Sequence, residues 1–336
     1  MKAAAVWPIC LLIFAAASVR AEEPLEEVVV TGEYPGPGMW KVTRADDATG
    51  HILWIVGDPP PLPKRMKWKS REVESVVLRS QEILLDSALN FEPDEKIGVF
   101  RGLGLLPAAL KARKNPDEAK LQTLVPADLY ARWLVQKKRF LGHDSGVENW
   151  RPIFAADKLR KAAISDLNLR ESGMVWEVME GLAKKHKITT TKPELKFIFK
   201  ADDLKATIKE FSRESLADTE CFATTLQLTE ALSDTATEAR RARAWATADL
   251  ETLNALPPLP NPNLPCAMAV MGSQVMKDKI PADIREQLHA KWVEVAGKSL
   301  ATNQTTFAIV PLGKLTRAGG YLERLRAQGY LIEAPK

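Results

Sequence analysis

Two apolar runs of buried-strand length lie near opposite ends of the chain, and each stops at a loop. Near the N-terminus, Met39-Trp40-Lys41-Val42 and His51-Ile52-Leu53-Trp54-Ile55-Val56-Gly57-Asp58 flank the polar stretch Arg44-Ala45-Asp46-Asp47-Ala48-Thr49-Gly50. The Asp and Gly residues of that stretch suit a tight turn, so the pattern predicts a β-hairpin over 39–56. Near the C-terminus, Thr306-Phe307-Ala308-Ile309-Val310-Pro311-Leu312-Gly313-Lys314-Leu315 reads as a strand running into a loop. Gly319-Gly320-Tyr321-Leu322-Glu323-Arg324-Leu325-Arg326-Ala327-Gln328-Gly329-Tyr330 follows as a short helix and a last strand. Open sheets place their chemistry at such strand ends.

Between the two ends the apolar period changes. After the proline-rich Asp58-Pro59-Pro60-Pro61-Leu62-Pro63, Ser70 stands at a helix start, with Glu72 and Glu74 suited to the positive helix N-terminus. Val73, Val76, Val77, Ser80 and Ile83-Leu84 form a core-facing stripe, and Ile83-Leu84-Leu85-Asp86 reads as the next strand. From about 103 to 256 the period is mainly helical, with Pro126 at the first helical position of one segment. A helix opens near Ser172-Gly173-Met174 and closes at Lys184-Lys185-His186. Ile188-Thr189-Thr190-Thr191 is β-branched and predicts a strand, and Phe197-Ile198-Phe199 an edge strand. Residues 215–246 read as one or two helices, and Asp249-Leu253 as a shorter one. Pro257 to Pro265 predicts an extended connector, and 281–302 a last long helix. The order of elements predicts an α+β fold: a central mixed sheet from the N- and C-terminal segments around a large helical middle region.

The N-terminal residues add a compartment to this picture. Lys2, the apolar stretch 3–17 and the small residues Val19 and Ala21 have the form of a secretory signal peptide, cleaved after Ala21. Residues 22–38 are then a flexible leader, and 39–336 a single domain with a helical insertion at about 103–256. The leader's Glu26-Glu27-Val28-Val29-Val30-Thr31-Gly32 resembles the segment that opens the mature part of many TonB-dependent outer-membrane receptors. That resemblance implies an outer-membrane receptor association, by a strand added to a partner's sheet edge; a loose arm, or a strand paired within the chain's own fold, is the alternative. The expected location is periplasmic or secreted.

The full chain carries 47 basic and 43 acidic residues. Loss of Lys2 and Arg20 with the signal peptide leaves it nearly neutral. The densest basic run, Lys64 to Arg71, reads as a solvated loop, so there is no electrostatic footprint for nucleic acid. No segment after the signal peptide is long and apolar enough to span a membrane. Cys221 and Cys266 remain; a disulfide between them would close a loop of about 45 residues, and two separately buried thiols are the alternative.

The two strand ends, the tryptophan-led helix at Trp68-Lys69-Ser70, the stretch Ala244-Trp245-Ala246-Thr247-Ala248-Asp249-Leu250 and the terminal Leu325-Arg326-Ala327-Gln328-Gly329-Tyr330-Leu331-Ile332 together resemble the TraB/GumN family, which includes the Tiki-type metallopeptidases. The resemblance implies a Tiki/erythromycin-esterase-like fold and metal-dependent hydrolysis at two Gly-x-x-His strand ends. Here the histidine positions hold Pro60 and Lys314, and Leu288-His289 stands where the family carries Arg-Asn ahead of Trp292. Proline cannot ligate through its side chain, and an ammonium repels a divalent ion. The chain has four histidines, His51, His143, His186 and His289, none at either Gly-x-x-His position.

The candidate catalytic residues are therefore Asp58, Asp86 and Lys314, with Gly57 and Gly313 lining the pocket. They would form either a rebuilt acid/base site or an ion pair that closes a vestigial pocket. The expectation is a pseudoenzyme with a binding or regulatory role toward an unidentified protein or peptide, and with no cofactor. The alternative is a hydrolase, most simply on peptides, using divalent Mn, Co or Zn. A second alternative is an accessory to outer-membrane uptake acting through the leader.

Overall fold

In a computed structural model, the described residues are 36–335 apart from 46–49, 60, 97–98, 172, 201–202 and 278–279, and the side chains of 99–103 are also left aside. Residues 1–21, expected to be a signal peptide, the Glu26–Gly32 segment and Pro60 lie outside the described residues.

The chain opens with β1 (Met39–Arg44), β2 (Ile52–Asp58), β3 (Leu62–Pro63), α1 (Arg71–Leu78), β4 (Glu82–Leu85) and β5 (Ala88–Pro93). The helical middle holds α2 (Val99–Ala112), α3 (Leu121–Leu124), α4 (Ala127–Phe140) and α5 (Pro152–Asp166), then β6 (Leu169–Arg170), α6 (Met174–His186), β7 (Thr189–Thr191) and β8 (Glu194–Phe199). After these come α7 (Leu204–Phe211), α8 (Thr219–Leu232), α9 (Thr235–Ala246), α10 (Leu250–Ala255), α11 (Asn263–Met271) and α12 (Ile284–Thr302). The chain closes with β9 (Thr305–Pro311), α13 (Leu312–Thr316), α14 (Tyr321–Ala327) and β10 (Tyr330–Glu333).

The central sheet has six strands in the order β10-β1-β2-β9-β4-β7. β1 is antiparallel to both neighbours, whereas β2, β9, β4 and β7 run parallel. The hairpin, the C-terminal strand and the Thr189–Thr191 strand thus all join one mixed sheet, and the helical region forms the middle of the chain. Among the described residues no helix is long and apolar enough to cross a membrane.

Residues Thr305 to Val310 of β9 are buried without a break, because helices cover both faces of the parallel part. Strand alternation sorts the side chains by face. Phe307, Ile309, Ile83 and Val56 pack with α1, α6 and α9 on one face. Ala308, Val310, Leu84 and Ile55 pack with α12 and α14 on the other. Burying these β-branched and leucine side chains contributes roughly 1.5–3 kcal/mol each. A second core, around Trp133, Leu159 and Phe222, joins α4, α5 and α8. Beside it, Cys221 in α8 and Cys266 in α11 form a disulfide.

Several local expectations shift. The Ser70 hydroxyl makes no cap to the backbone; it bonds the Glu74 carboxylate instead. Pro126 stands one residue ahead of the helix, since α4 begins at Ala127. The expected extended connector ends early, because Asn263, Leu264 and Pro265 already form the first turn of α11. A proline at the start of a helix loses no hydrogen bond there. The edge strand at Phe197–Phe199 exists within β8, but its partner is β5, a parallel strand that the apolar period does not mark.

Candidate functional site

The parallel strands β2, β9 and β4 end together, which puts three loops at one edge of the sheet. In register, Asp58 lies opposite Pro311, and Leu85 opposite Ile309. Asp58 at the end of β2 and Asp86 just past β4 therefore flank the end of β9 from its two sides. α13 follows Pro311 directly and carries Gly313 and Lys314 above this edge.

The pleat then separates the two carboxylates. Asp58 shares a face with Val56, in the core that contains α6; Asp86 shares a face with Leu84, in the core that contains α12 and α14. Their surroundings agree with this parity. The backbone N–H of Gly173, at the start of α6, faces the Asp58 carboxylate. Burial nevertheless dominates and pushes the Asp58 carboxyl up to about 6, and its Oδ1 is buried without a hydrogen-bond partner.

Asp86 is fully engaged. Lys314 Nζ donates to its Oδ2 at 2.6 Å. Tyr321 OH donates to its Oδ1 at 2.7 Å, and the Ser87 backbone N–H donates to the same oxygen at 2.9 Å. The Ser87 hydroxyl lies 3.2 Å from the Tyr321 OH. Burial, and then the charge of Asp86, push the Tyr321 phenol well above its usual range, so it stays a donor. Its ring stacks on Trp292 at 4.1 Å between centroids. Trp292 Nε1 donates in turn to the Leu85 carbonyl at 3.1 Å and fixes the end of β4.

His289 joins this group, although sequence reasoning left it out. It is buried on α12, and its ring meets the edge of Tyr321 at 5.4 Å. Arg317 Nη2 lies 3.2 Å from His289 Nε2. A guanidinium only donates, so Nε2 must accept, and the imidazole is neutral with its proton on Nδ1. That Nδ1 is buried and has no partner. Burial first, then the charges of Arg324, Arg317 and Lys314, bring the His289 pKa down to about 4. A usable signal was present in the sequence: His289 lies three residues before Trp292, at a position already singled out as a departure. Tyr321 and Arg317 had no such signal, since their roles depend on how α13 and α14 fold back over α12.

The two glycines differ. The Trp245 indole donates to the Gly57 carbonyl at 2.9 Å, and a Cβ on Gly57 would lie 2.5 Å from Leu312 Cδ1. Leu312 of α13 thus approaches Gly57 closely, with its Cβ and Cα 3.2 and 3.3 Å from such an atom. A Cβ on Gly313 would meet nothing within 4 Å. The other histidines stand apart: His51 bonds the Leu300 carbonyl at 3.0 Å, and His143 and His186 are exposed.

A family model for TraB/PrgY/gumN proteins matches residues 38–334. This chain belongs to the TraB/PrgY/gumN family. No match is found among curated proteins or among solved structures. The TraB/PrgY/gumN framework thus carries the hairpin, the β9 strand end and the terminal helix and strand of this chain. The metal that the family resemblance implies does not fit the residues around Asp86. Both carboxylate oxygens already accept from donors, and one of these is the Lys314 ammonium. The neighbouring imidazole offers Nε2 to a guanidinium rather than to a cation. Among the described residues, no three His, Cys, Asp or Glu side chains converge in an arrangement that could hold a metal ion. Pro60, at the other expected ligand position, lies outside the described residues.

Proposed function

We propose that this chain is a secreted or periplasmic TraB/PrgY/gumN-family protein that has given up metal-dependent hydrolysis and acts by binding a protein or peptide. The observation that carries this reading is the Lys314–Asp86 pair at 2.6 Å. It puts a cation where the resemblance implies a metal ligand, and ties up the carboxylate beside it. The opposite placement of Asp58 adds support, because the acidic pair does not share one environment. Metal content after purification, together with peptidase assays under added Mn, Co or Zn, tests the proposal. Absence of both stoichiometric metal and turnover is expected. Bound metal with turnover that disappears in Asp58→Ala overturns it.

A second reading, a rebuilt acid/base hydrolase, draws support from one observation. Asp58, with its carboxyl at about 6, holds or releases a proton close to neutral pH. That reading requires turnover of a peptide substrate that falls in Asp58→Asn while the variant stays folded. It also requires a loss in Lys314→Ala, and an unchanged rate there counts against it.

A further inference from the structure

Away from the sheet edge, β5 and β8 form a parallel two-stranded ribbon of their own. Phe91 and Phe197 are paired in its register, with rings stacked at 5.6 Å. α7 lies over one side and packs on α2, yet none of its residues is buried, although Leu204, Ile208 and Phe211 recur at helical spacing. Leu204 and Thr207 of α7, the end of the ribbon, Met276 and Ile280 line a cavity of about 520 Å³. That volume falls within the range of roughly 300–1,000 Å³ usual for small-molecule sites.

The lining is divided. Among the described residues, Phe197, Phe199, Leu204, Met276 and Ile280 make apolar walls, whereas Lys200, Asp203 and Thr207 are the polar groups. These three belong to one short stretch: the Asp203 backbone N–H donates to the Lys200 carbonyl at 3.1 Å, and the Thr207 N–H to the Asp203 carbonyl at 2.8 Å. Asp203 precedes α7, but its side chain makes no capping bond. Among the described residues neither Lys200 nor Asp203 has an ion pair. A peptide entering this space would carry amide groups along its whole length, and each buried without a partner costs roughly 1–3 kcal/mol. A hydrocarbon chain carries none, and needs polar partners at one end only.

We propose that this cavity is a binding site for a single-chain amphiphile, a monoacyl lipid whose tail lies among the phenylalanines and whose head meets Lys200, Asp203 and Thr207. The site is separate from Asp58, Asp86 and Lys314, and the proposal does not depend on the function assigned to them.

The test is displacement of 1-anilinonaphthalene-8-sulfonate from the intact protein by dodecanoic acid, by lysophosphatidylethanolamine and by an apolar decapeptide. Displacement by both lipids at a single site is expected, with at least a tenfold loss of affinity in Thr207→Trp, where the indole fills the cavity. Circular dichroism and an intact Cys221–Cys266 bond verify that this variant folds. Lys200→Ala should weaken dodecanoic acid more than dodecanol. Displacement by the peptide alone, or lipid affinity unchanged in folded Thr207→Trp, overturns the proposal.

Discussion

Lys314 reaches from α13 across the end of β9 to place its ammonium 2.6 Å from Asp86 Oδ2. Both side chains are mostly buried, with 28% and 22% of their surface exposed. The pair therefore sits where the Coulomb gain and the desolvation cost are both substantial, and removing one partner is more damaging than removing both. Lys314→Met should cost about 1–2 kcal/mol of stability, and the Lys314→Met/Asp86→Asn double variant less than the sum of the singles. Urea unfolding of the four proteins in a double-mutant cycle measures this; a coupling near zero would mean that the pair is screened like a surface one.

Asp58 imposes a pH dependence of a definite sign. Its carboxyl rises from an ordinary value of 3.8 to about 6, so the folded protein holds that proton more tightly than the unfolded chain. The resulting stabilisation is fully present below 3.8 and is lost as pH rises through 6. The span corresponds to at most about 3 kcal/mol, and solvent around this half-buried side chain reduces the expected effect to about 1–2 kcal/mol. Asp58→Asn should therefore be more stable than the parent at pH 7.5 and no more stable at pH 3.5. Thermal unfolding across that range checks it.

His289 acts in the opposite direction. Its pKa falls from 6.5 to about 4, so the folded state resists protonation. Stability is unaffected above 6.5 and declines as pH drops from there toward 4. His289→Phe should remove that component of acid sensitivity while retaining the ring against Tyr321. An NMR titration of the imidazole is the direct measurement, and an inflection above pH 6 would show that the neutral tautomer is not enforced.

The Cys221–Cys266 disulfide closes a loop with a sequence separation of 45. Such a crosslink contributes about 3–4 kcal/mol by restricting the unfolded chain. Replacing both cysteines by alanine should lower the urea midpoint accordingly. Mass spectrometry of denatured, unreduced protein should find neither Cys221 nor Cys266 labelled by a thiol reagent.

The framework was largely legible because burial leaves a period in the sequence. The hairpin, β4, β7, the continuous apolar run of β9 and the terminal helix and strand follow from alternation, apolar runs and glycine punctuation. β5 was missed because Ala88-Leu89-Asn90-Phe91-Glu92-Pro93 belongs to a half-exposed two-stranded ribbon with no buried face to impose alternation. At the site, Asp86 and Lys314 were singled out from their places at strand ends, and the structure puts them 2.6 Å apart. Tyr321, which donates to the same carboxylate, was not, because 235 residues separate it from Asp86 and only the packing of α14 joins them.

By itself the sequence determined the strands of the central sheet, that the chain resembles TraB/GumN proteins, and that proline and lysine stand at the two positions where the resemblance implies ligands. These are local facts of residue type and spacing. Only the tertiary structure decided which faces the carboxylates take. The pleat of adjacent parallel strands sends Asp58 toward the α6 side and Asp86 toward α12 and α14, and a register set by long-range pairing cannot be read from either segment alone. The same packing draws His289, Tyr321 and Lys314 around Asp86, and gives the Lys314–Asp86 pair its hydrogen-bonded surroundings.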